Sequence, residues 1–422
     1  MPQSPFKLFE PYGPGDKDIF FGRDAEIFAL YHLLQQTRIA LIYGASGTGK
    51  TSLINAGLPK VFKLTDWFRV FIRRRDNIND SLRGELNRLR GHNEPITDLP
   101  QVIHEIFETR WIPIYLVFDQ FEEIFTLGTS EERKVFFRDL QQLMTVNLPC
   151  KIILSMREEY IGHLYDYEPQ VPALFQKRFR VESMQDNTVQ EVIAQMCFVN
   201  GIELEHPEIA EADTDQSAST AARILEQLKE GKQAAHLPYL QIYLHYLYEH
   251  AISTLGKARF TQSSIQAVGK LGNVLKRFIE TKLAEAQTFL HAQHAPEDFA
   301  QRLLDEFATD EGTKQSRKRG ELGIILDVPP GLVQVALGYF SDTAKLLRAD
   351  EDEVDRYEPV HDVVAKQIHE LRTAEDKEFK AFTRHLQLSC DRWLAEQRPT
   401  DRLLPERDLS RADIYRERLE RR

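Results

Sequence analysis

Cysteine is scarce in this sequence of 422 residues, which contains only Cys150, Cys197 and Cys390. An odd, scattered set without metal-ligand spacing argues against both a disulfide framework and a cysteine-ligated metal. No apolar run approaches the roughly 18 residues that cross a bilayer, and the longest, residues 112–118, has the length of a buried strand. Residues 1–7 also lack the hydrophobic core of a secretory signal. We therefore expect a cytoplasmic protein with no membrane partner.

Positive charge is also in deficit. The 54 Lys and Arg residues are outnumbered by 65 Asp and Glu residues, which gives a formal net charge of −11. This balance argues against non-specific binding of nucleic acid by the protein as a whole, although it leaves room for a local basic patch. Glycine and proline number only 21 and 19, and 42% of the residues are hydrophobic. The composition is therefore that of a globular protein, neither collagen-like nor disordered.

Short apolar runs alternate with amphipathic stretches in the first part of the chain, as in a parallel sheet covered by helices. The runs are rich in Ile, Val, Leu and Phe, which predicts strands buried on both faces and an α/β fold class. The five predicted strands are residues 38–43, 67–72, 113–118, 151–156 and 178–181.

Helical spacing replaces the strand pattern after residue 187. Apolar residues three and four positions apart predict a helical lid domain. A later segment combines helices with two strand candidates, 344–348 and 355–360, around an acidic loop, which is the outline of a winged helix. The tail is helical and highly charged. The predicted divisions are a nucleotide-binding domain at 1–187, the lid at 188–290, the winged helix at 291–371 and a helical connector at 372–422.

The strongest local motif is G-x-x-x-x-G-K-[ST], the phosphate-binding loop of P-loop NTPases. A predicted strand enters it and a helical segment leaves it. Small residues let backbone N–H groups close around phosphate oxygens, and the helix N-terminus adds a favourable dipole. We expect Lys50 to reach the β- and γ-phosphates and the Thr51 hydroxyl to bind Mg²⁺. The predicted nucleotide contacts here are Gly44, Ala45, Ser46, Gly47, Thr48, Gly49, Lys50, Thr51 and Ser52.

An aspartate follows the third predicted strand at its carboxyl end, the edge at which such sheets bind ligands. This residue, Asp119, is expected to hold Mg²⁺ directly or through water, and Glu122 or Glu123 is expected to polarise the attacking water. Acidic residues also favour the first turn of a helix, so the two glutamates have a structural explanation as well. The sequence does not choose between them.

An arginine ends the fourth predicted strand. Arg157 is a candidate sensor of the γ-phosphate, because guanidinium groups make charge-assisted hydrogen bonds with phosphate. The alternative is an ion pair with Glu158, Glu159 or Asp119. Further arginines near strand ends receive no role from the sequence: Arg73, Arg74, Arg75, Arg178 and Arg180.

Several segments resemble the bacterial novel STAND NTPases, signal transduction ATPases with numerous domains that are similar to NACHT and NB-ARC proteins. The phosphate loop is generic, whereas the D-Q-F-E-E run is more particular to this group. The resemblance implies an AAA+/STAND-like parallel sheet followed by a helical lid and a winged helix. The segments are IFFGRD at 19–24, LVFDQFEEIF at 116–125, LSMR at 154–157, LPYLQ at 237–241 and YEPVHD at 357–362.

The resemblance implies a switch operated by ATP and ADP. In relatives the Gly-Arg segment before the first strand contacts adenine, which corresponds here to Phe21, Gly22 and Arg23. The proline of the helical domain, matched by Pro238, lines the same pocket, and the winged-helix histidine, matched by His361, contacts ADP phosphate. Oligomerisation on activation, slow hydrolysis that resets the switch, and a role in antiphage defence or cell death are implied in the same way.

The sequence departs from the family pattern in three places. Val360 stands where the Met-His-Asp motif usually has methionine, and residues 1–18 are too few for an effector domain. A connector-like segment is followed by the end of the chain at Arg422 instead of by sensor repeats. The expected partners are other copies of the chain and a separate sensor or effector protein, unless the chain is cut before its own sensor.

Two alternatives belong to other functional classes. The first is an AAA+-like DNA-associated ATPase, such as a replication initiator or transposition regulator, with a DNA-binding winged helix. The acidic segment 350–353 argues against it because it repels phosphate, while the basic segment 314–319 argues for it. The second is a non-catalytic scaffold whose nucleotide is purely structural, which measurement of ATP hydrolysis would separate from a switch.

Overall fold

A computed structural model describes most of the chain, which forms two compact units, Met1–Leu271 and Gly272–Arg422. The division lies at the start of a long helix, Leu271–His291. The four predicted domains remain a prediction. The described residues are 4–8, 11–75, 77–91, 94–126, 128–205, 219–229, 237–310, 312–349, 355–360, 362–395, 405–416 and 419.

A five-stranded sheet forms the core of the first unit. Its strands are β1 (Ile39–Gly44), β2 (Phe68–Arg73), β3 (Ile114–Asp119), β4 (Cys150–Arg157) and β5 (Arg178–Arg180). They pair in parallel in the order β2-β3-β4-β1-β5. All five predicted strands are confirmed, and no strand end differs from its predicted position by more than one residue. The parallel sheet confirms the α/β class.

Successive residues of β3 face two different cores. Leu116 and Phe118 belong to one buried cluster, whereas Tyr115 and Val117 belong to the other. Because side chains alternate across a strand, a strand covered on both faces has to be apolar at nearly every position. All of β3 is buried, including the Asp119 that ends it. A carboxylate in that position requires polar partners.

Helices cover the sheet and continue beyond it in the first unit. Two strands of two residues each, β6 (Glu203–Leu204) and β7 (Arg259–Phe260), pair in parallel and are too short to produce a hydrophobic pattern. Helices predicted after residue 187 are present, while their function as a lid remains a prediction. The helices are α1 (Asp24–Gln35), α2 (Lys50–Ser52), α3 (Ile78–Arg90), α4 (Leu99–Arg110), α5 (Glu123–Thr126), α6 (Ser130–Thr145), α7 (Asp186–Val199), α8 (Thr220–Leu228), α9 (Leu237–Leu255) and α10 (Gln262–Val268), with 3₁₀ segments at Pro14–Ile19, Leu58–Lys60 and Glu158–Tyr167 and a π-helical segment at Leu53–Gly57.

The second unit contains a three-stranded antiparallel sheet in the order β8-β10-β9, formed by β8 (Arg317–Lys318), β9 (Leu347–Ala349) and β10 (Arg356–Pro359). The strand predicted at 355–360 corresponds to β10, and the one predicted at 344–348 is displaced toward the carboxyl end as β9. The basic segment contributes β8, which the sequence pattern did not indicate. A winged helix remains a prediction, and the acidic loop 350–354 and His361 lie outside the described residues.

Seven helices are described in the second unit, together with a π-helical segment at Tyr339–Thr343. Arg372 is buried and lies in the turn between the helices Asp362–Leu371 and Ala374–Ala395. It donates hydrogen bonds to the backbone oxygens of Asp305, Ala308 and Thr309 at 2.6, 2.6 and 3.1 Å. It thereby satisfies carbonyl groups that the end of a helix leaves unpaired. The helices are α11 (Leu271–His291), α12 (Phe299–Asp305), α13 (Arg319–Leu326), α14 (Pro330–Gly338), α15 (Asp362–Leu371), α16 (Ala374–Ala395) and α17 (Glu406–Ile414).

Among the described helices, none by itself combines the length and the apolar composition needed to cross a membrane. One bent pair, Arg319–Leu326 with Pro330–Thr343, meets those criteria only when the two helices are taken together.

Candidate functional site

The predicted phosphate loop connects the carboxyl end of β1 to α2. Gly47 and Gly49 have φ angles of 78° and 90°, in the left-handed region that favours glycine. These two residues turn the chain sharply enough for α2 to begin at Lys50. The strand, loop and helix that give the motif its meaning are therefore all present.

Gly44 is required for a different reason, the close approach of a neighbouring chain segment. A Cβ atom at this position would lie 2.3 Å from the backbone oxygen of Val181. That segment cannot easily move away, because the Val181 N–H donates a 2.7 Å hydrogen bond to Tyr43 O. The first glycine of the loop therefore keeps the loop against the segment that follows β5.

Replacement of Gly44 by alanine is expected to weaken ATP binding by at least about tenfold, because overpacking against a backbone atom costs on the order of 1–3 kcal/mol. Isothermal titration calorimetry would measure the loss. The matched control is Gly84→Ala in α3, where a new Cβ meets nothing within 4 Å. Equal ATP affinity in the Gly44→Ala and Gly84→Ala proteins would contradict the close approach.

The ammonium group of Lys50 lies within the loop. Lys50 Nζ donates hydrogen bonds to Gly44 O at 2.8 Å and to Ala45 O at 2.9 Å. Burial lowers the pKa of Lys50 from its ordinary value, and the nearby carboxylates of Glu122 and Asp119 oppose this shift. A desolvated cation gains most from an anionic ligand, so the loop is suited to receive phosphate oxygens.

Thr51 and Asp119 meet, as the sequence predicted for a shared metal site. Thr51 Oγ1 lies 3.0 Å from both carboxylate oxygens of Asp119, and Ser155 Oγ donates to Oδ1 at 3.1 Å. A hydroxyl and a carboxylate are the hard oxygen ligands that Mg²⁺ prefers. Among the described residues, no group of three or more His, Cys, Asp or Glu side chains forms a metal cage. The donor set thus fits an ion that shares its remaining positions with water and phosphate.

Glu122 and Arg157 form an ion pair at the same edge of the sheet. Arg157 Nε lies 3.1 Å from Glu122 Oε1, and the Arg157 N–H donates to Oε2 at 3.2 Å. Burial raises the pKa of Glu122, whereas Arg157 and Lys50 act in the opposite direction. Arg157 pairs with Gly44 in the register of β4 and β1. The candidate sensor arginine therefore lies beside the phosphate loop, and Glu122 is a partner that the sequence did not indicate.

Glu123, the other candidate base, is half-buried and is the first residue of α5. This position matches the structural explanation of an acidic residue in a first helical turn. Neither glutamate is established as the base by position alone.

The three consecutive arginines that begin with the last residue of β2 have three different environments. Arg73 donates to Asp119 Oδ2 from Nε at 3.2 Å and from Nη2 at 2.8 Å. Arg74 makes two 2.9 Å hydrogen bonds to the buried carboxylate of Glu132, and Arg75 contacts Glu85 at 3.3 Å. Arg73 is thus a site residue that sequence reasoning left unassigned. The missing information was that β2 pairs with β3, which places Arg73 opposite Asp119.

The segment predicted to contact adenine also lies next to the loop. Gly22 has a φ of 76°, and a Cβ there would lie 2.4 Å from Val192 Cγ2 in α7. Arg23 is buried and donates to the backbone oxygens of Thr48 at 3.1 Å and Glu182 at 2.8 Å. Its guanidinium therefore supports the phosphate loop from the protein side. Contact of these residues with a base remains a prediction.

The other predicted contacts are distributed around the loop. Ser52 Oγ accepts a hydrogen bond from the Tyr12 N–H at 3.2 Å, so its hydroxyl faces the N-terminal segment. Leu237, the first residue of α9, approaches Gly49, with its Cδ1 3.7 Å from the position of a Cβ there. Pro238 is the next residue of that helix, but its side chain and His361 are outside the described part of the chain. Phe21 is half-buried, and the Lys60 ammonium lies 5.9 Å from its ring centre.

The model of the family described as Novel STAND NTPase 1 matches residues 5–401 of this chain. No match to this chain was found among curated proteins. Among solved structures, the Walker-type ATPase PABY2304 of Pyrococcus abyssi is 15% identical, with coverage of 86% of this chain and 99% of that chain and a TM-score of 0.41. The ORC2 protein of Aeropyrum pernix, in ADPNP and ADP complexes, is 12% identical, with coverage of 86% and 96% and a TM-score of 0.46.

Proposed function

Because the chain belongs to the Novel STAND NTPase 1 family, we propose that it is a switch operated by ATP and ADP that hydrolyses ATP slowly. The observation that carries this proposal is the convergence of Lys50, Thr51 and Asp119 at the end of β1 and β3. The three residues supply the cation, hydroxyl and carboxylate that bind a magnesium nucleotide in P-loop proteins.

In this proposal the backbone N–H groups of the loop and Lys50 bind the phosphates. Thr51 and Asp119 hold Mg²⁺, which when bound neutralises charge on the phosphate oxygens. Glu122 accepts a proton from the attacking water, and burial favours this role because the raised pKa of its carboxyl makes it a better base than an exposed glutamate. Arg157 orients Glu122 and exchanges part of that ion pair for the γ-phosphate.

We infer that the switching step needs more free energy than is supplied by the one phosphate that distinguishes ATP from ADP. Moving a two-state equilibrium from 1:99 to 99:1 takes about 5.5 kcal/mol of differential binding. A trigger ligand or neighbouring copies of the chain supply the remainder, so we propose oligomerisation on activation. The proposed role in antiphage defence or cell-death signalling follows from the family resemblance alone. A contact of His361 with ADP phosphate in the resting state is proposed on the same basis.

Calorimetry, light scattering and a phosphate-release assay of ATP hydrolysis together test the proposal. The full chain is titrated with ATP and with ADP, each with and without Mg²⁺, and its mass is measured in every state. We expect both nucleotides to bind and the oligomeric mass to be larger in the ATP state than in the ADP state. Absence of binding by both nucleotides would reject the switch. Binding without any hydrolysis would favour the scaffold alternative.

The DNA-binding alternative receives little support from the described part of the basic segment. Arg317 Nη2 contacts Glu306 at 2.9 Å, and Arg319 Nη2 contacts Asp355 at 2.8 Å. Arginines that are paired with carboxylates within their own unit have less charge to offer to phosphate. We therefore keep the nucleotide switch as the proposed function.

A further inference from the structure

The Asp119 carboxylate contacts two kinds of group, the hydroxyls of Thr51 and Ser155 and the guanidinium of Arg73. Oδ1 accepts from Ser155, Oδ2 accepts two hydrogen bonds from the Arg73 guanidinium, and Thr51 contacts both oxygens. The Asp119 side chain is 2% exposed, whereas that of Arg73 is 28% exposed. The arginine therefore reaches the carboxylate from the solvent side of the sheet edge.

The position of Arg73 is determined by the sheet and not by a mobile loop. It is the last residue of β2 and pairs with Asp119 in the parallel register. Its guanidinium carbon also lies 5.5 Å from the ring centre of Phe71, a distance at which cations are attracted to aromatic faces. The next arginines in the chain do not share this environment, because their side chains contact Glu132 and Glu85.

A guanidinium and a divalent cation make opposing demands on the same carboxylate. Two positive groups a few ångströms apart repel strongly where water is largely excluded, and a carboxylate oxygen that accepts two N–H groups has little remaining capacity for a metal. We propose that Arg73 is a positioning residue that holds Asp119 in place of a metal and so lowers the affinity of the nucleotide-free protein for Mg²⁺. This inference rests on the proposed function of the same site.

The arrangement gives a binding order. Without nucleotide, Arg73 neutralises Asp119, so the loop meets an incoming phosphate without a bare carboxylate beside it. The negative charge of the phosphates then offsets the repulsion between Arg73 and a cation, and metal binding becomes favourable only in the presence of nucleotide. Arg73 thus favours metal-free nucleotide binding and opposes nucleotide-free metal binding.

Manganese binding measured by electron paramagnetic resonance tests the inference without any catalytic readout. The full-length wild type, Arg73→Gln, Arg73→Lys and the matched control Arg75→Gln are titrated with Mn²⁺ in the absence of nucleotide. The same four proteins are titrated with ADP in the presence of EDTA by calorimetry. Thermal unfolding of each variant reports whether the substitution has disturbed the fold.

Loss of the Arg73 charge is expected to tighten Mn²⁺ binding by about tenfold and to weaken metal-free ADP binding by about tenfold. Both changes have one cause, because the substitution removes a nearby positive charge that repels the cation and attracts the phosphates. Arg73→Lys keeps the charge and should change both affinities less, and Arg75→Gln should match wild type. A purely structural role would weaken both affinities together. Unchanged Mn²⁺ affinity, or parallel losses, would overturn the inference.

The two proposals fail in different ways. If wild type binds no ADP or ATP, the switch is rejected, while the manganese titration still decides whether Arg73 opposes a cation at Asp119. If wild type binds nucleotide and Arg73→Gln binds Mn²⁺ no more tightly, only the role of Arg73 is rejected.

Discussion

Replacement of Lys50 by alanine is expected to weaken ATP binding by roughly a hundredfold, because charge-assisted hydrogen bonds contribute about 1.5–3 kcal/mol each. Lys50 Nζ donates hydrogen bonds of 2.8 and 2.9 Å to the Gly44 and Ala45 oxygens of its own loop. Burial already lowers its pKa. Removal of this desolvated cation should therefore affect the nucleotide complex far more than the folded protein.

Two measurements separate binding from stability for Lys50→Ala. Calorimetry gives the Kd for ATP in the presence of Mg²⁺, and urea unfolding gives the free energy of unfolding without nucleotide. The control is Lys134→Ala in α6, because the Lys134 side chain is 70% exposed and contacts only Glu131, at 3.8 Å, among the ion pairs described for it. Wild-type ATP affinity in Lys50→Ala would show that the loop does not bind phosphate as proposed.

Glu122→Gln is expected to reduce the rate of ATP hydrolysis by at least about a hundredfold, the usual contribution of a general base. Glutamine keeps the shape of the side chain and an oxygen that accepts the Arg157 N–H, now 3.2 Å from Glu122 Oε2. ATP binding should therefore change little. Single-turnover hydrolysis, measured together with the Kd for ATP, distinguishes a lost base from a lost binding site.

The neighbouring glutamate provides the control for this prediction. Glu123 begins α5, and Glu123→Gln should retain most of the hydrolysis rate. The opposite pattern, with hydrolysis lost in Glu123→Gln and retained in Glu122→Gln, would assign the base to Glu123. Wild-type rates in both variants would mean that neither carboxylate polarises the attacking water.

Many features of the fold and site could be predicted because they are written in contiguous residues. The central strands show this well, since β1, β3 and β4 are apolar runs that end in Gly44, Asp119 and Arg157, respectively. The phosphate loop is a motif of adjacent residues, and its two left-handed positions are both glycine. The two-residue strands β6, β7 and β8 were missed because so few residues produce no periodic pattern.

Partners of the charged side chains could not be predicted in the same way. Glu158, Glu159 and Asp119 were the ion-pair partners considered for Arg157 as the alternative to a sensor role, and the structure adds Glu122, which lies in the turn after β3. Contact of Arg23 with a base remains a prediction, whereas the hydrogen bonds of its guanidinium to backbone oxygens of the phosphate loop and of residue 182 were not predicted. Each of these contacts joins segments that are far apart in the chain.

The amino-acid order alone was sufficient to identify the family, the five strands of the parallel sheet and the Lys50, Thr51 and Asp119 set. Burial on both faces and phosphate binding by a loop leave local patterns that need no knowledge of the other segments. The contact between Arg73 and Asp119 depended instead on the strand order β2-β3-β4-β1-β5. That order depends on tertiary packing, which local sequence patterns do not encode. The contact of the Arg73 guanidinium with the metal-binding carboxylate was therefore apparent only in the folded protein.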